Sequence, residues 1–334
     1  MAEYREIQGA AVQSLASSTG TIEGQIWYDN VNGNFKLESV TTAGAWATGG
    51  NLSTGRSVSD SFGTKTAGAY VGGQPSTPYY NLVEEYDGTS WTAGTAYPQN
   101  KTAGGTAGTL TAGLVAGGNV PPFTTTANQY DGTSWTGTGS LPTAADNIGS
   151  CGADTISDVI MALGRIPSSG NGGNNTTATY NGATFSSGPN INTARMFGIG
   201  SGAGTGTAGL IMGGFIDPSP NAMTNCEEYD GSSWTAVNSL NTASGLNSGF
   251  GTQTSAIMQV NSPGPGDRTG IERYDGTSWT TVASLPISGN GGYASSTGSS
   301  ASAGGWFSGL GPSLNGTNEW TDAGSPETQT LTTT

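Results

Sequence analysis

The sequence predicts an all-β chain: a closed ring of six four-stranded blades, a six-bladed β-propeller, preceded by a short arm and hairpin. Three observations predict it. A six-residue motif, Tyr-Asp-Gly-Thr-Ser-Trp, occurs at 86–91, 130–135 and 274–279, with Ser for Thr at 229–234 and a degenerate Tyr-Asn-Gly-Ala-Thr-Phe at 180–185. Its tyrosines recur at intervals of 44, 50, 49 and 45 residues, the period of a four-stranded blade. The two ends of the repeat region are incomplete in complementary ways.

The elements follow in chain order. Residues 1–41 do not obey the repeat. Glu3 to Leu15 carries a weak helical pattern (Ile7, Ala11, Val12, Leu15), and Gln25 to Asp29 with Asn34 to Leu37 flank Asn30-Val31-Asn32-Gly33 as a hairpin. From Trp46 the period takes over. Each outer-strand aromatic is followed six residues later by an apolar or aromatic residue: Leu52, Tyr97, Leu141, Ile191, Leu240 and Leu285. A Gly/Ser/Ala-rich strand and a more apolar one come next, the latter at 69–73, 113–118, 159–164, 209–214, 256–260 and 305–309. A loop of variable length then leads to the tyrosine strand. The Asp-Gly step between two aromatics reads as a tight hairpin turn in which Asp and Gly tolerate positive φ.

The last unit reaches Glu319-Trp320 but has no Asp-Gly turn and no outer strand, whereas Trp46 is an outer-strand residue with no tyrosine strand in register before it. Residues 44–48 therefore complete the C-terminal blade, which removes the free edges of the ring. The expected division is an arm and hairpin over 1–41, a propeller over 42–322 and a Thr-rich tail over 323–334.

Composition agrees with many short strands joined by glycine turns. Among 334 residues there are 57 Gly, 8 Trp and 12 Tyr, and only 10% are charged. Net charge is −14, which speaks against a nucleic-acid partner. No run of about 18 apolar residues is present, so no membrane span is expected. The first residues, Met-Ala-Glu-Tyr-Arg-Glu, lack the basic and apolar regions of a secretory signal. Cys151 and Cys226 occupy different repeat positions and are expected as separate, buried thiols. The chain contains no His, which removes His-dependent triads and His-ligated metal sites, and the Asp-bearing loops offer no run of calcium ligands. No cofactor or metal is expected.

The double glycine, tyrosine strand and tryptophan strand resemble kelch repeats. Gly72-Gly73 with Tyr86 and Trp91, Gly117-Gly118 with Tyr130 and Trp135, and Gly213-Gly214 with Tyr229 and Trp234 carry the resemblance, over about residues 42–322. Two departures stand out. The turn between Tyr and Trp is about two residues shorter than the family's, and the glycine pair is lost beside Leu163 and Val260. The wording of Glu-Glu-Tyr-Asp-Gly-Ser-Ser-Trp, of Asn192-Thr193-Ala194-Arg195 and of the Gly204 to Ala208 stretch is also similar to Gly/Thr-rich repeat proteins of tailed, notably marine, bacteriophages. The stretch Glu23 to Tyr28 is similar to segments near the start of phage virion and fibre-like proteins.

That resemblance implies a non-enzymatic virion structural or adhesion protein: a tail fibre, appendage or capsid-decorating subunit located in the particle. Its partners would be host-surface glycans, neighbouring virion proteins or another copy of itself. The loops between second and third strands vary most, and variable loops on a constant scaffold are the usual binding surface. Their candidate binding residues are Tyr79, Tyr80, Phe123, Phe215, Asp217, Asp267 and Arg268. Ile26, Trp27, Tyr28 and Phe35 are the candidate attachment residues in 1–41.

The alternative is a kelch-like carbohydrate-active enzyme of the sialidase type, which needs arginines for a substrate carboxylate. Arg56, Lys101 and Arg195 share one repeat position, ten residues after the outer aromatic. They read as solvated or turn-bonding side chains. The pairs Glu84-Glu85 and Glu227-Glu228 point to opposite strand faces, so they make poor acid/base pairs and read as edge-strand charge.

Overall fold

The structure is a computed structural model. It describes residues 13–15, 26–40, 44–74, 78–120, 122–169, 173–197, 202–216, 221–245, 248–260, 269–286, 295–300, 304–310, 313–322 and 326–331. The chain forms two compact units, Trp46–Thr321 and a smaller one that joins Met1–Ala45 to Asp322–Thr334.

The larger unit is a six-bladed propeller. Blade 1 comprises Asp60–Thr64, Ala67–Val71, Val83–Tyr86 and Trp91–Ala93, and blade 2 comprises Gly105–Thr109, Ala112–Ala116, Ala127–Tyr130 and Trp135–Gly137. Blade 3 runs through Gly149–Cys151, Val159–Ala162, Thr177–Tyr180 and Phe185–Gly188. Blade 4 runs through Gly202–Gly204, Gly209–Met212, Cys226–Tyr229 and Trp234–Val237, and blade 5 through Gly249–Thr252, Ser255–Gln259, Ile271–Tyr274 and Trp279–Val282. Blade 6 takes Ser295–Ser300, Gly304–Leu310 and Gly316–Thr321 from the end of the repeats and Ala45–Thr48 from its beginning.

The expected closure is therefore present. Gly49 N–H donates to the Thr317 carbonyl and Leu52 N–H to that of Asn315, both at 2.9 Å, while the Trp46 ring lies 5.0 Å from that of Trp320. First strands of successive blades are neighbours all round the ring, including those of blades 6 and 1.

A four-stranded sheet is too small to bury its own faces, and here each face is buried against the next blade. Apolar clusters among the described residues fall one to a junction. Leu52, Tyr70, Tyr86, Trp91 and Trp306 join blades 6 and 1, while Cys151, Ile160, Phe197, Ile211, Tyr229 and Trp234 join blades 3 and 4. The second strands serve both sides at once. Leu114 packs towards blade 3 and its neighbour Val115 towards blade 1. A strand buried on both faces has no need of polar alternation, which is why these strands read as near-continuous apolar runs.

The outer tryptophans contribute more than area. Trp91, Trp135, Trp234 and Trp279 donate their indole N–H to the carbonyls of Gly50, Thr95, Pro189 and Asn238, at 2.9–3.1 Å, and Trp46 donates to Ala283 at 2.8 Å. Each acceptor lies four residues beyond the outer aromatic of the preceding blade. Phe185 has no N–H to offer, and at that junction the chain runs a backbone bond instead, from Gly139 N–H to the Ala183 carbonyl.

The turn between Tyr and Trp differs from the expected tight turn. Tyr86 pairs directly with Trp91, so the loop has four residues, and only its glycine has positive φ (+94° at Gly88). Asp87 instead turns its Oδ1 inward to accept the N–H groups of Thr89 and Ser90, each at 2.8 Å. Asp131, Asp230 and Asp275 repeat this, and their carboxyls are held below the usual carboxylate range by those same bonds.

The smaller unit is a four-stranded sheet in the order Gln13–Leu15, Ile26–Asp29, Asn34–Val40, Pro326–Leu331. The hairpin at Asn30–Gly33 is as expected, but two other expectations change. Gln13–Leu15, within the stretch read as weakly helical, is a strand parallel to Ile26–Asp29. Residues read as part of a Thr-rich tail form the strand Pro326–Leu331, in antiparallel register with Asn34–Val40. That segment is nearly all polar and offers no apolar alternation, so its partner across the chain is what makes it a strand.

Candidate functional site

Strands alternate in direction within each blade. Loops from second to third strand therefore emerge at the same end of the ring as the connections to the next blade. The turns from first to second strand and the Asp-Gly turns emerge at the other end. The described candidate binding residues, Tyr79, Tyr80, Phe123 and Phe215, belong to loops at the first end. There the connections into blades 1 to 4 bridge to their own blade's loop, through Ser57 with Gln74, Thr102 with Asn119, Asp146 with Arg165, and Met196 with Phe215, while Ser244 in the connection into blade 5 bridges to Met223 in the loop of blade 4.

The structure brings together fewer of the candidate residues than expected. Tyr79 and Tyr80 are half-buried in the blade 1 loop, where the Tyr80 N–H donates to Gly73 and its carbonyl accepts from Lys101 N–H. Phe215 is half-buried in the blade 4 loop and pairs, with Ile216, against Asn221–Ala222. Blades 1 and 4 face each other across a six-membered ring, so these aromatics do not form one cluster. Asp217, Asp267 and Arg268 lie outside the described residues.

Phe123 is the candidate that acquires a neighbour. The guanidinium of Arg165, from the loop of blade 3, sits 4.7 Å from its ring centroid. Arg165 is fixed by Asp146, which accepts from Nε at 2.8 Å and from a second guanidinium N–H. Burial pushes the Asp146 carboxyl up, against the pull of Arg165. The Arg165 side chain remains 26% exposed, so this aromatic and cation face solvent together across two loops. The sequence does not single out Arg165. The column that holds it, immediately after the glycine pair position, reads Gln74, Asn119, Arg165 and Phe215, and is the signal to follow.

The shared column of Arg56, Lys101 and Arg195 is corrected most. Solvation is what fails: these side chains are 0–1% exposed and locked in ion pairs, whereas the turn-bonding part of the expectation holds for Arg56 and Arg195, which donate to the carbonyls of Thr54 and Thr193 at 2.9 and 3.1 Å. Arg56 bonds Glu84 in its own blade and also donates to the carbonyls of Gly72 and Tyr70, at 2.8 and 3.1 Å. Arg195 pairs with Glu227 at 2.8 Å. Lys101 lies 2.7 Å from Asp60, the first residue of blade 1. Burial would raise the Glu84 carboxyl, but Arg56 and Ser53 together hold it below its ordinary value; at Asp60 burial prevails and raises it.

The acidic pairs are not edge charge either, because the fourth strand covers the third. Glu84 faces its own connection and accepts Ser53 N–H at 2.7 Å, whereas Glu85 faces the next blade and accepts the Tyr130 hydroxyl at 2.5 Å. Burial, then the carboxylate of Glu85, pushes the Tyr130 phenol up to about 12. The glycine pair belongs to the same framework. Gly73, at φ +94°, donates to the Lys101 carbonyl at 2.9 Å, and a Cβ there would lie 2.0 Å from Ser59 Oγ.

At the axis, first strands line a narrow channel of about 40 Å³, with Ser61, Phe62, Thr106, Ser150 and a series of Gly and Ala residues. It carries no charged side chain among the described residues. Cys151 and Cys226 are both buried free thiols, as expected. No cluster of three metal-ligating side chains occurs among the described residues. No helix is long and apolar enough to cross a membrane.

In the smaller unit the attachment candidates divide. Trp27 is buried and Ile26 half-buried, while Tyr28 and Phe35 are exposed and meet edge to face at 5.3 Å. No protein-family model matches the chain, and no curated protein is similar to it in sequence.

Proposed function

We propose that this chain is a non-enzymatic binding protein of a tailed-phage particle, a fibre, appendage or decorating subunit. Its propeller presents the loop end to host-surface glycans or neighbouring virion proteins. The segment 1–41 docks it to another protein chain. The observation that carries the non-enzymatic part is the fate of the charged residues. Arg56, Arg195 and Lys101, the cations an acidic-sugar hydrolase would need, are each buried against a carboxylate of the framework. What remains presented at the loop end is suited to binding, with Arg165 over Phe123 and partly exposed Tyr79 and Tyr80. Exposed Tyr28 and Phe35 support the docking role of the N-terminal segment.

The virion assignment rests on the motif resemblance and is tested directly. Mass spectrometry of purified particles should find the chain in stoichiometric amount, and its absence from particles overturns the reading. Glycan arrays with the full chain and with Phe123→Ala separate adhesion from pure structure. Binding lost on that change assigns the loop end to adhesion, whereas no binding at all leaves the structural role alone.

A further inference from the structure

At the end of the ring that carries the Asp-Gly turns, blade junctions are closed by one recurring contact. The tyrosine ending the third strand of one blade reaches the residue before the corresponding position in the preceding blade. Tyr86 donates to Glu319, Tyr130 to Glu85, and Tyr274 to Glu228 at 2.9 Å, while the Tyr180 hydroxyl accepts from Gln129 Nε2 at 2.7 Å. Between blades 3 and 4 the pair is Thr179 and Tyr229. Threonine stops well short of where Glu or Gln would place its terminal oxygen. The Tyr229 hydroxyl makes no hydrogen bond among the described residues, and the space a longer side chain would fill is open.

The opening has a volume of about 290 Å³ and is lined by Ser157, Asp158, Thr179, Asn181, Thr207 and Tyr229 among others. We propose that this notch is a binding site for a neutral hexose unit. Its volume is close to the lower end of the roughly 300–1,000 Å³ of small-molecule sites, the size class of a single sugar ring. Its lining is hydroxyl, carboxamide and one carboxylate, groups that exchange hydrogen bonds with sugar hydroxyls in either direction. Thr207 Oγ1 donates to Asp158 Oδ2 at 2.8 Å, which orients the carboxylate. Blade 4 can close its turn on Asp158 only because residue 206 is glycine: a Cβ there would lie 2.4 Å from Asp158 Oδ1.

The same carboxylate decides the charge of the ligand. At three of the closed junctions a Glu accepts from Tyr, but here Asp158 already places a negative charge near Tyr229, in a chain of net charge −14. A neutral hydroxyl accepts from Tyr229 and donates to Asp158 without that repulsion. The site stands on the notch and not on the loop-end reading, since the two lie at opposite ends of the ring.

Saturation-transfer NMR on the full chain with glucose, galactose, mannose and N-acetylglucosamine tests it. At least one sugar should show transfer. Thr179→Gln, which supplies the missing side chain, should weaken that sugar roughly tenfold or more, and Tyr229→Phe by a smaller factor. No transfer from any of these sugars overturns the proposal, as does Thr179→Gln binding like the unaltered chain. Thermal unfolding shows whether Thr179→Gln folds. If it does not, Tyr229→Phe decides, and unchanged affinity there overturns the site.

Discussion

Blades 4 and 5 hold their incoming connections with the same glutamate, but only blade 4 adds an arginine. Glu227 accepts the N–H groups of Asn192 and Thr193, at 2.7 and 3.2 Å, and Glu272 accepts those of Asn241 and Thr242, both at 2.8 Å. In each blade the asparagine amide also donates to the glutamate and to the carbonyl of the outer tryptophan. Blade 4 then places Arg195 on Glu227, where blade 5 has Ser244 donating to the Gln259 carbonyl at 3.0 Å. The glutamate's common task is thus to anchor the connection's backbone. The ion pair is an addition that makes the anchor costlier to lose, because a buried cation is stranded when its partner goes.

That difference sets the largest expected effect. Glu227→Ala should cost about 3–5 kcal/mol, since Arg195 is left buried and uncompensated. Glu272→Ala removes the same backbone anchors but strands no arginine, and should cost about 1–3 kcal/mol. Urea unfolding of the two variants checks the order. Equal losses would mean that the arginine adds nothing to the dependence on its partner.

The framework explains which parts of the molecule the sequence discloses. Blade number, strand order and ring closure are legible because they are written in local spacing: Tyr to Trp, Trp to the apolar residue six later, and opposite defects at the two ends. The ion pairs and the tyrosine hydrogen bonds are not, because Arg56 meets Glu84 and Tyr130 meets Glu85 across strands and blades that no local pattern brings together. The strand Pro326–Leu331 is hidden for the same reason, its order coming from Asn34–Val40. The notch is least legible of all. Thr179 is unremarkable until Tyr229 is known to face it without a partner.

A second contrast between these blades is ionisable. The third strand of blade 4 begins with Cys226 where that of blade 5 begins with Ile271, and both are buried. Burial pushes the Cys226 thiol up to about 11 from an ordinary value of 9.0. Below pH 9 the thiol is protonated in both folded and unfolded chains and contributes no pH dependence. Between about pH 9 and 11 the unfolded chain releases the proton and the folded chain keeps it, so stability falls as pH rises. Two pKa steps correspond to about 2–3 kcal/mol. Cys226→Val should therefore narrow the loss of stability between pH 8 and 11, read by urea midpoints. An unchanged slope would place the alkaline sensitivity in other groups.

The smallest effect separates the two junctions on either side of blade 4. Tyr274 closes the junction of blades 4 and 5 by donating to Glu228 at 2.9 Å, and burial with that carboxylate pushes its phenol up. Tyr229 stands at the equivalent place between blades 3 and 4, with the same stacking on its outer-strand partner, at ring-centroid distances of 5.0 Å for Tyr229 with Trp234 and 4.8 Å for Tyr274 with Trp279. Phenylalanine preserves both rings and removes only the hydroxyls. Tyr274→Phe should cost about 1.5–3 kcal/mol, the range for a hydrogen bond to a charged group. Tyr229→Phe should stay within about 0.5 kcal/mol of the unaltered chain, because nothing in the fold uses its hydroxyl. A matching loss at Tyr229 would mean that its hydroxyl already has a structural partner. The notch would then be one more closed junction rather than a place kept open for a ligand.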